Sequence, residues 1–201
     1  MRINVFFCQN PAANFLNGKI GIIIIVVIVK GVFEVKQRFF YCPKCGGNLL
    51  YKNYEERKRL TCSVCSYIFY ENPVVGVAVI VLNEDGQILL GKRNSSYKGL
   101  WCIPCGYVEY DEDVYEAAMR EFKEETNLDV IIKGVYTVLS NFHNPETHTV
   151  GIWFMADIVG GTLQARADLD EVGYFDLTRP PVLAFPTDRL VIERLRHQGT
   201  I

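Results

Sequence analysis

Long apolar runs are almost absent from this 201-residue chain. The longest, Ile20–Val29, would extend only about 15 Å as a helix, roughly half the thickness of the bilayer hydrocarbon. No small-residue cleavage site follows it, so neither a transmembrane helix nor a secretory signal is expected. Two interpretations of this β-branched stretch stay open: a strand that packs in the fold, and part of an N-terminal extension of uncertain structure.

An excess of positive charge is also missing. The chain has 21 Lys and Arg against 23 Asp and Glu, a formal net charge of −2. It therefore has no overall positive field that would hold nucleic acid or an anionic membrane, and neither is an expected partner. Its 49% of hydrophobic residues exclude collagen, coiled coil and general disorder. A homodimer stays open.

Cysteine is too scarce for a disulfide scaffold, since the chain has only seven, and a reducing cytoplasm is the expected location. Six of the seven form three Cys-x-x-Cys pairs, a spacing typical of metal or redox sites. Cys42 and Cys45 are separated by sixteen residues from Cys62 and Cys65. Two pairs at this separation can place four thiolates at the corners of a tetrahedron, which structural Zn²⁺ prefers. Redox-active pairs or unconnected buried thiols are the alternative.

The chain divides into three segments by composition. Residues 1–38 are predicted to be an N-terminal extension of uncertain structure, and residues 39–72 are predicted to be a zinc ribbon too small for a hydrophobic core of its own. Residues 73–201 carry the regular elements. Helices are predicted over Glu112–Asn127, with Asp111 as N-cap, and over Thr187–His197. Strands are predicted over four further runs: Val74–Leu82, Gln87–Arg93, Val130–Phe142 and Thr149–Ile158. This order indicates an α+β or α/β sandwich.

A stripe of carboxylates follows the first predicted helix. Glu121, Glu124 and Glu125 stand at i, i+3 and i+4 and therefore share one face. They repel one another and oppose the helix dipole in its C-terminal half, so a cation is expected beside them. Clustered oxygen ligands suit Mg²⁺ or Mn²⁺, which also take phosphate oxygens from a substrate. A solvated acidic face is the alternative.

Six residues around this stripe stand at fixed offsets: Gly106, Glu112, Arg120, Glu121, Glu124 and Glu125. This pattern resembles the Nudix box of the Nudix hydrolases. Asn127 replaces a late glycine of the box, and asparagine tolerates the left-handed conformation that glycine would supply. Cys105 replaces another glycine and forms the third Cys-x-x-Cys with Cys102. A buried pair and a redox-sensitive or adventitious metal site both stay open for these two thiols.

The resemblance covers about residues 74–197, and the upstream ribbon is similar to that of a Nudix subgroup containing NADH, ADP-ribose and FAD pyrophosphatases. It implies an α+β fold, an α/β/α sandwich with a mixed β-sheet preceded by a small zinc ribbon with four cysteine ligands. Glu121, Glu124, Glu125 and the Gly106 carbonyl would bind Mg²⁺ or Mn²⁺. Glu112 and Arg120 would form a supporting salt bridge that orients the helix.

The implied reaction is metal-dependent hydrolysis of the pyrophosphate bond in a nucleoside diphosphate linked to a second group, giving a nucleoside monophosphate and a phosphorylated product. Glu121 and Glu171 are both candidates for the general base. Lys92 and Arg93 are candidates for phosphate contact, with a solvated strand end as the alternative. Five further residues are weaker candidates for substrate contact, with surface or core positions as the alternatives: His143, His148, Tyr107, Phe142 and Trp153.

The substrate is only partly indicated. NADH pyrophosphatases with such a ribbon carry the motif Ser-Gln-Pro-Trp-Pro-Phe-Pro after the box, whereas residues 140–145 here read Ser-Asn-Phe-His-Asn-Pro. NADH is therefore disfavoured, and the resemblance leans toward ADP-ribose-like substrates with FAD still open. The main alternative is an RNA- or protein-binding zinc ribbon attached to an inactive Nudix domain. A thiol redox protein built on Cys102 and Cys105 is a third class.

Overall fold

The computed structural model describes residues 37–199, which divide into two compact units between Phe69 and Tyr70. The Ile20–Val29 stretch and nearly all of the expected N-terminal extension lie outside the described residues. Neither the length nor the apolar character of a membrane span is found in any helix between residues 37 and 199.

The first unit is a small antiparallel sheet. Its strands β1 (Leu49–Tyr54), β2 (Arg57–Cys62) and β3 (Ile68–Phe69) lie in the order β1-β2-β3. Its buried core consists of two leucines and two thiols: Leu49, Leu60, Cys42 and Cys62. The apolar surface buried by residues 37–69 alone is too small to offset the conformational entropy of about thirty ordered residues. This described part of the chain therefore needs a further constraint.

The second unit contains two sheets and two helices. The elements are β4 (Val74–Ile80), β5 (Ile88–Arg93), β6 (Trp101–Cys102), β7 (Cys105–Tyr107), α1 (Val114–Thr126), β8 (Leu128–Asn141), β9 (Thr149–Gly161), β10 (Leu169–Phe175) and α2 (Pro186–His197). A four-stranded sheet has the order β7-β4-β9-β8, and a three-stranded antiparallel sheet has the order β10-β5-β6. The four-stranded sheet is mixed because β4 and β9 are parallel while its other pairs are antiparallel.

Alternation along β4 separates two cores. Val77 and Val79 pack with Phe122 of α1, whereas Ala78 and Ile80 belong to the core that contains Leu195 of α2. Because successive side chains of a strand point to opposite faces, the two helices cover opposite faces of the sheet. The α/β/α sandwich with a mixed sheet is therefore confirmed.

Only the N-terminal end of α1 differs from the prediction. The helix begins at Val114, and its N-cap is Asp113, whose Oδ1 accepts from the Tyr115 amide at 2.8 Å. The predicted cap at Asp111 is therefore wrong by two residues, because Glu112 belongs to the preceding loop, where Arg120 binds it. At the other end Asn127 has a φ of 61°, which confirms the left-handed C-cap.

Candidate active site

Arg120 organises the acidic end of α1. Its Nε and Nη2 donate to the two carboxylate oxygens of Glu112 at 2.6 and 2.8 Å, a bidentate ion pair. Its Nη1 donates to Glu121 Oε1 at 2.9 Å, and its Nη2 also reaches the carbonyl of Tyr107 at 3.2 Å. The Arg120 hydrogen bond lowers the pKa of Glu112. Arg120 therefore ties the loop before α1 to a carboxylate of the stripe.

Glu121 lies directly against the backbone of β7. A Cβ built on Gly106 would overlap the Glu121 carboxylate, so only glycine permits this approach. Burial is the largest influence on this group and raises the pKa of Glu121. Both residues line one cleft of about 450 Å³.

Glu125 is almost fully buried, with 1% of its surface exposed. Its Oε2 accepts from the Cys105 amide at 2.8 Å, whereas its Oε1 has no hydrogen-bond partner among residues 37–199. Burial, followed by the nearby Cys102 and Asp168, raises the pKa of Glu125 well above its ordinary value. A buried carboxylate with an unpartnered oxygen is destabilising unless a proton or a cation neutralises it.

Glu124 occupies the exposed side of the same stripe, with 53% of its side chain accessible. Its nearest cation is Arg120 Nη1, 3.5 Å from Oε2. The oxygens of Glu121, Glu124 and Glu125 do not form a tight cluster of ligand atoms, since the four thiols form the only such group in the described part of the chain. Arg120 is the cationic side chain that contacts the stripe, through Glu121 and Glu124.

Two further charged residues, Arg93 and Asp168, meet in the same cleft. Arg93 is buried, and its Nη2 donates to Asp168 Oδ2 at 3.0 Å while its Nε donates to the Ser96 carbonyl at 2.8 Å. Both line the cleft with Glu121. Sequence reasoning chose Glu171 from the acidic run at residues 168–171 and not Asp168, because the sequence alone does not show which carboxylate of that run faces the cleft.

Lys92 and Glu171 lie elsewhere. They are directly paired across β5 and β10, and Lys92 Nζ is 2.6 Å from Glu171 Oε1. Neither lines the cleft. Their contact with substrate and the base role of Glu171 stay predictions, and the structure brings only Arg93 of these three candidates to Glu121.

The aromatic candidates separate in a similar way. Trp153 is 5% exposed and lines the cleft. Tyr107 and Phe142 are exposed, and of the two only Tyr107 lines the cleft.

Asp188 also lines the cleft, although sequence reasoning did not single it out as a site residue. It is buried, and its Oδ2 accepts from the Ile103 amide at 3.1 Å.

Asp188 is expected to make the free energy of unfolding depend on pH. Burial raises its pKa from 3.8 to about 7, so the folded state binds a proton more tightly than the unfolded chain. Its contribution is therefore present at low pH and is lost, by up to about 1.4 kcal/mol per pH unit, as the pH rises from about 4 to about 7. Urea unfolding followed by tryptophan fluorescence should show a smaller loss of stability in Asp188→Asn over this range. Equal slopes in the two proteins would contradict the assignment.

The four ribbon thiols converge as the spacing predicts. Their Sγ atoms all lie within 4.8 Å of one another, with contacts of 3.4, 3.5 and 3.8 Å. The amides of Cys65 and Val64 donate to Cys62 Sγ, and the Cys65 amide is the main reason that the pKa of Cys62 falls to about 6. Although the Gly47 amide acts the other way, hydrogen bonds to Cys65 and Cys62 raise the pKa of Cys45 to about 12. Four crowded thiols do not all ionise without a cation, and a tetrahedral dication supplies that charge.

The third thiol pair lies inside the second unit. Cys102 is fully buried and contacts Arg93 Nη1 at 3.7 Å, while Cys105 lines the cleft. A hydrogen bond with Cys102, together with burial, raises the pKa of Cys105 well above its ordinary value. Cys105 is thereby kept as a thiol next to Glu125.

Glu121 of α1 packs against Gly106 of β7, and α1 covers one face of a mixed sheet. This arrangement is typical of hydrolases of the Nudix type. The model of the NUDIX domain family matches residues 72–195, and the Nudix N-terminal zinc ribbon model matches residues 41–71. The chain therefore belongs to the Nudix hydrolase family.

The chain is similar to several particular members of this family. A protein of Methanocaldococcus jannaschii named ADP-ribose pyrophosphatase is 34% identical over 153 residues, which are 76% of this chain and 90% of the relative. A Nudix hydrolase structure from Nitrosomonas europaea has a TM-score of 0.68 and 30% identity, and the match covers 80% of this chain and 94% of that one. An ADP-ribose pyrophosphatase from Streptococcus suis matches at a TM-score of 0.53 and 25% identity over 64% of this chain and 94% of its own.

Proposed function

We propose that this Nudix hydrolase cleaves the pyrophosphate bond of ADP-ribose, giving AMP and ribose 5-phosphate, with Mg²⁺ or Mn²⁺ as cofactor. The observation that carries the proposal is the pair Glu121 and Glu125. One carboxylate lies in the cleft against Gly106, and the other holds a buried oxygen without a partner among the described residues. The names of the relatives from Methanocaldococcus jannaschii and Streptococcus suis support the choice of substrate.

The residues present suit a hard divalent cation. Glu121, Glu124, Glu125 and the Gly106 carbonyl offer only oxygen, which Mg²⁺ and Mn²⁺ prefer. The unpartnered Oε1 of Glu125 is the atom that most needs a cation. Bound by these groups, the metal would neutralise charge developing on the phosphoryl oxygens and lower the pKa of a water ligand.

Other side chains of the cleft position the metal ligands, accept a proton and bind the phosphates. Arg120 holds the Glu121 carboxylate in place through Nη1, and Glu112 fixes Arg120 from the other side. Glu121 and Asp168 lie on the cleft surface, where either carboxylate can accept a proton from an attacking water. Arg93, held by Asp168 and Ser96, presents its positive charge to the phosphates.

The zinc ribbon belongs to the same proposal. Cys42, Cys45, Cys62 and Cys65 would bind one Zn²⁺ with no open position, so its role would be structural. We assign residues 39–72 to this ribbon and residues 73–201 to the hydrolase domain, which would work in a reducing cytoplasm.

A substrate panel tests the activity. ADP-ribose, NADH, FAD, dinucleoside polyphosphates and oxidised deoxynucleoside triphosphates are each incubated with Mg²⁺, Mn²⁺ or a chelator, and the products are separated by chromatography. We expect AMP and ribose 5-phosphate from ADP-ribose in the presence of either metal and none with the chelator. Products from no compound in the panel would contradict the proposed function.

Glu124→Gln is expected to lower turnover of ADP-ribose by at least about 100-fold, because losing a metal ligand or its support costs about this much. Glu124 is more than half exposed, so the variant should unfold at the wild-type temperature. Steady-state kinetics at increasing Mg²⁺ measure the loss. Wild-type rates with excess Mg²⁺ would show that Glu124 is not a ligand.

A further inference from the structure

Two thiols of the second unit have no role in the proposed reaction. Cys102 ends β6 and Cys105 begins β7, so the two residues between them connect the three-stranded sheet to the four-stranded one. Both side chains pack in one apolar cluster and share a hydrogen bond, and both are free cysteines. Because Cys105 stands where the Nudix pattern has a glycine, the pair is a feature of this chain and not of that pattern.

The two sulfurs differ in their surroundings. Cys105 lines the cleft and is half-buried, so a small molecule in the cleft can reach its sulfur. Cys102 is fully buried, and its Sγ lies 3.7 Å from Arg93 Nη1. Although burial acts the other way, charge interactions with the two sulfurs raise the pKa of Arg93. By the same interaction the guanidinium stabilises a thiolate of the pair, which is the form in which a sulfur reacts.

The backbone that joins the two thiols holds buried carboxylates. The Cys105 amide donates to Glu125 Oε2 at 2.8 Å, and the Ile103 amide donates to Asp188 Oδ2 at 3.1 Å. Glu125 belongs to α1 and Asp188 to α2. Each helix thus supplies one buried carboxylate to this short segment. Drawing the two sulfurs together would move these amides, and with them Glu125, which is a proposed metal ligand.

We propose that Cys102 and Cys105 are a modification site, which a hydroperoxide oxidises to a disulfide that displaces Glu125 and stops hydrolysis until a thiol reductant restores the pair. The effect on hydrolysis rests on the proposed function. The inference goes beyond that function because it assigns a covalent control to two residues that the reaction does not use.

The oxidation balances with hydrogen peroxide as the oxidant. The thiolate of Cys105, the sulfur that reaches the cleft, attacks one peroxide oxygen, the O–O bond breaks, and the other oxygen leaves as water after taking up protons. Cys102 then attacks the sulfur of the resulting sulfenic acid, the S–S bond forms, and the second oxygen also leaves as water. The two thiols together lose two protons and two electrons, and the peroxide takes up all of them.

Peptide mass spectrometry of the full-length protein after exposure to hydrogen peroxide tests the modification. Trypsin releases residues 99–120, a fragment that contains Cys102, Cys105 and no other cysteine. We expect this fragment to become two hydrogens lighter, to resist alkylation, and to accept the alkylating reagent again after treatment with dithiothreitol. The Cys102 hydrogen bond and burial raise the pKa of Cys105, so the first step is slow near neutral pH and the exposure is followed over hours.

The rate of ADP-ribose hydrolysis shows the consequence of the bond. The wild-type protein and Cys8→Ser, which keeps the pair, should lose at least about 100-fold in rate as the disulfide forms, because a displacement on the order of 1 Å costs about this much. Dithiothreitol should restore the rate. Cys105→Gly and Cys102→Ala should each keep their own untreated rate through the same exposure. A loss as large in these two variants as in the wild type would show that peroxide acts elsewhere and would overturn the inference.

Binding of Mn²⁺, followed by electron paramagnetic resonance, separates this inference from the proposed function. The disulfide should weaken Mn²⁺ binding whether or not the protein hydrolyses ADP-ribose. A pair that stays reduced, or a disulfide that leaves Mn²⁺ binding unchanged, would overturn the inference. A disulfide that weakens Mn²⁺ binding in a protein that hydrolyses nothing in the panel would refute the proposed function and support the modification site.

Discussion

Glu121→Gln should lower kcat for ADP-ribose by about 100- to 10,000-fold, the range typical of losing a general base or an equivalent charged group. Glutamine is nearly isosteric and can still accept from Arg120 Nη1, so the side chain should stay against Gly106. What changes is the charge, and an amide neither binds a divalent cation as well nor accepts a proton from water. Single-turnover kinetics under saturating Mg²⁺ measure the effect on the chemical step.

Glu116→Gln is the matched control for this experiment. Glu116 is an exposed residue in the first turn of the same helix and does not line the cleft. It should retain the wild-type rate, since it removes the same charge from α1 without touching the site. A Glu121→Gln enzyme that works as fast as the Glu116→Gln control would show that Glu121 contributes nothing to the reaction.

Short-range sequence patterns predicted the glutamate face of α1, its C-cap and the cluster of four cysteines. The i, i+3, i+4 spacing placed three glutamates on one helix face, and the asparagine at its end supplied the left-handed cap. The two Cys-x-x-Cys pairs likewise predicted a cluster of four thiols. In each case the information lies in residues whose spacing in the chain fixes their spacing in space.

Contacts between residues that are far apart in the chain leave no such spacing pattern in the sequence. Arg93 and Asp168 are 75 residues apart and meet only because the segment before β10 packs beside β5. The predicted stripe also gave no hint that Glu125 would be buried while Glu124 stays exposed, since that difference depends on what covers each side of α1. Lys92 illustrates the same limit from the other side. It stands beside Arg93 in sequence, but neighbouring strand residues point to opposite faces, so only one of the two reaches the cleft.

Cys62→Ser should remove zinc from the protein and unfold the ribbon. The wild-type protein is expected to contain about one Zn²⁺ per chain, because structural zinc is bound with an apparent free energy of about 10–16 kcal/mol in comparable small units. Among residues 37–69, only Leu49 and Leu60 join the thiols in the buried core, so we expect the metal to be the main constraint on this part of the chain. Elemental analysis measures the zinc, and hydrogen exchange of residues 41–69 measures the loss of protection.

Substituting Cys62 separates the effect of losing zinc from the effect of losing the turn. Its sulfur accepts two backbone amides, from Val64 and Cys65, and a serine oxygen can still accept them, so the turn itself is not removed by the substitution. Loss of protection would then follow from loss of the metal rather than of the turn. Cys8→Ser, which removes the one cysteine outside the three pairs, should keep its zinc and serves as the control. A Cys62→Ser ribbon that is metal-free yet fully protected from exchange would refute the structural role of zinc.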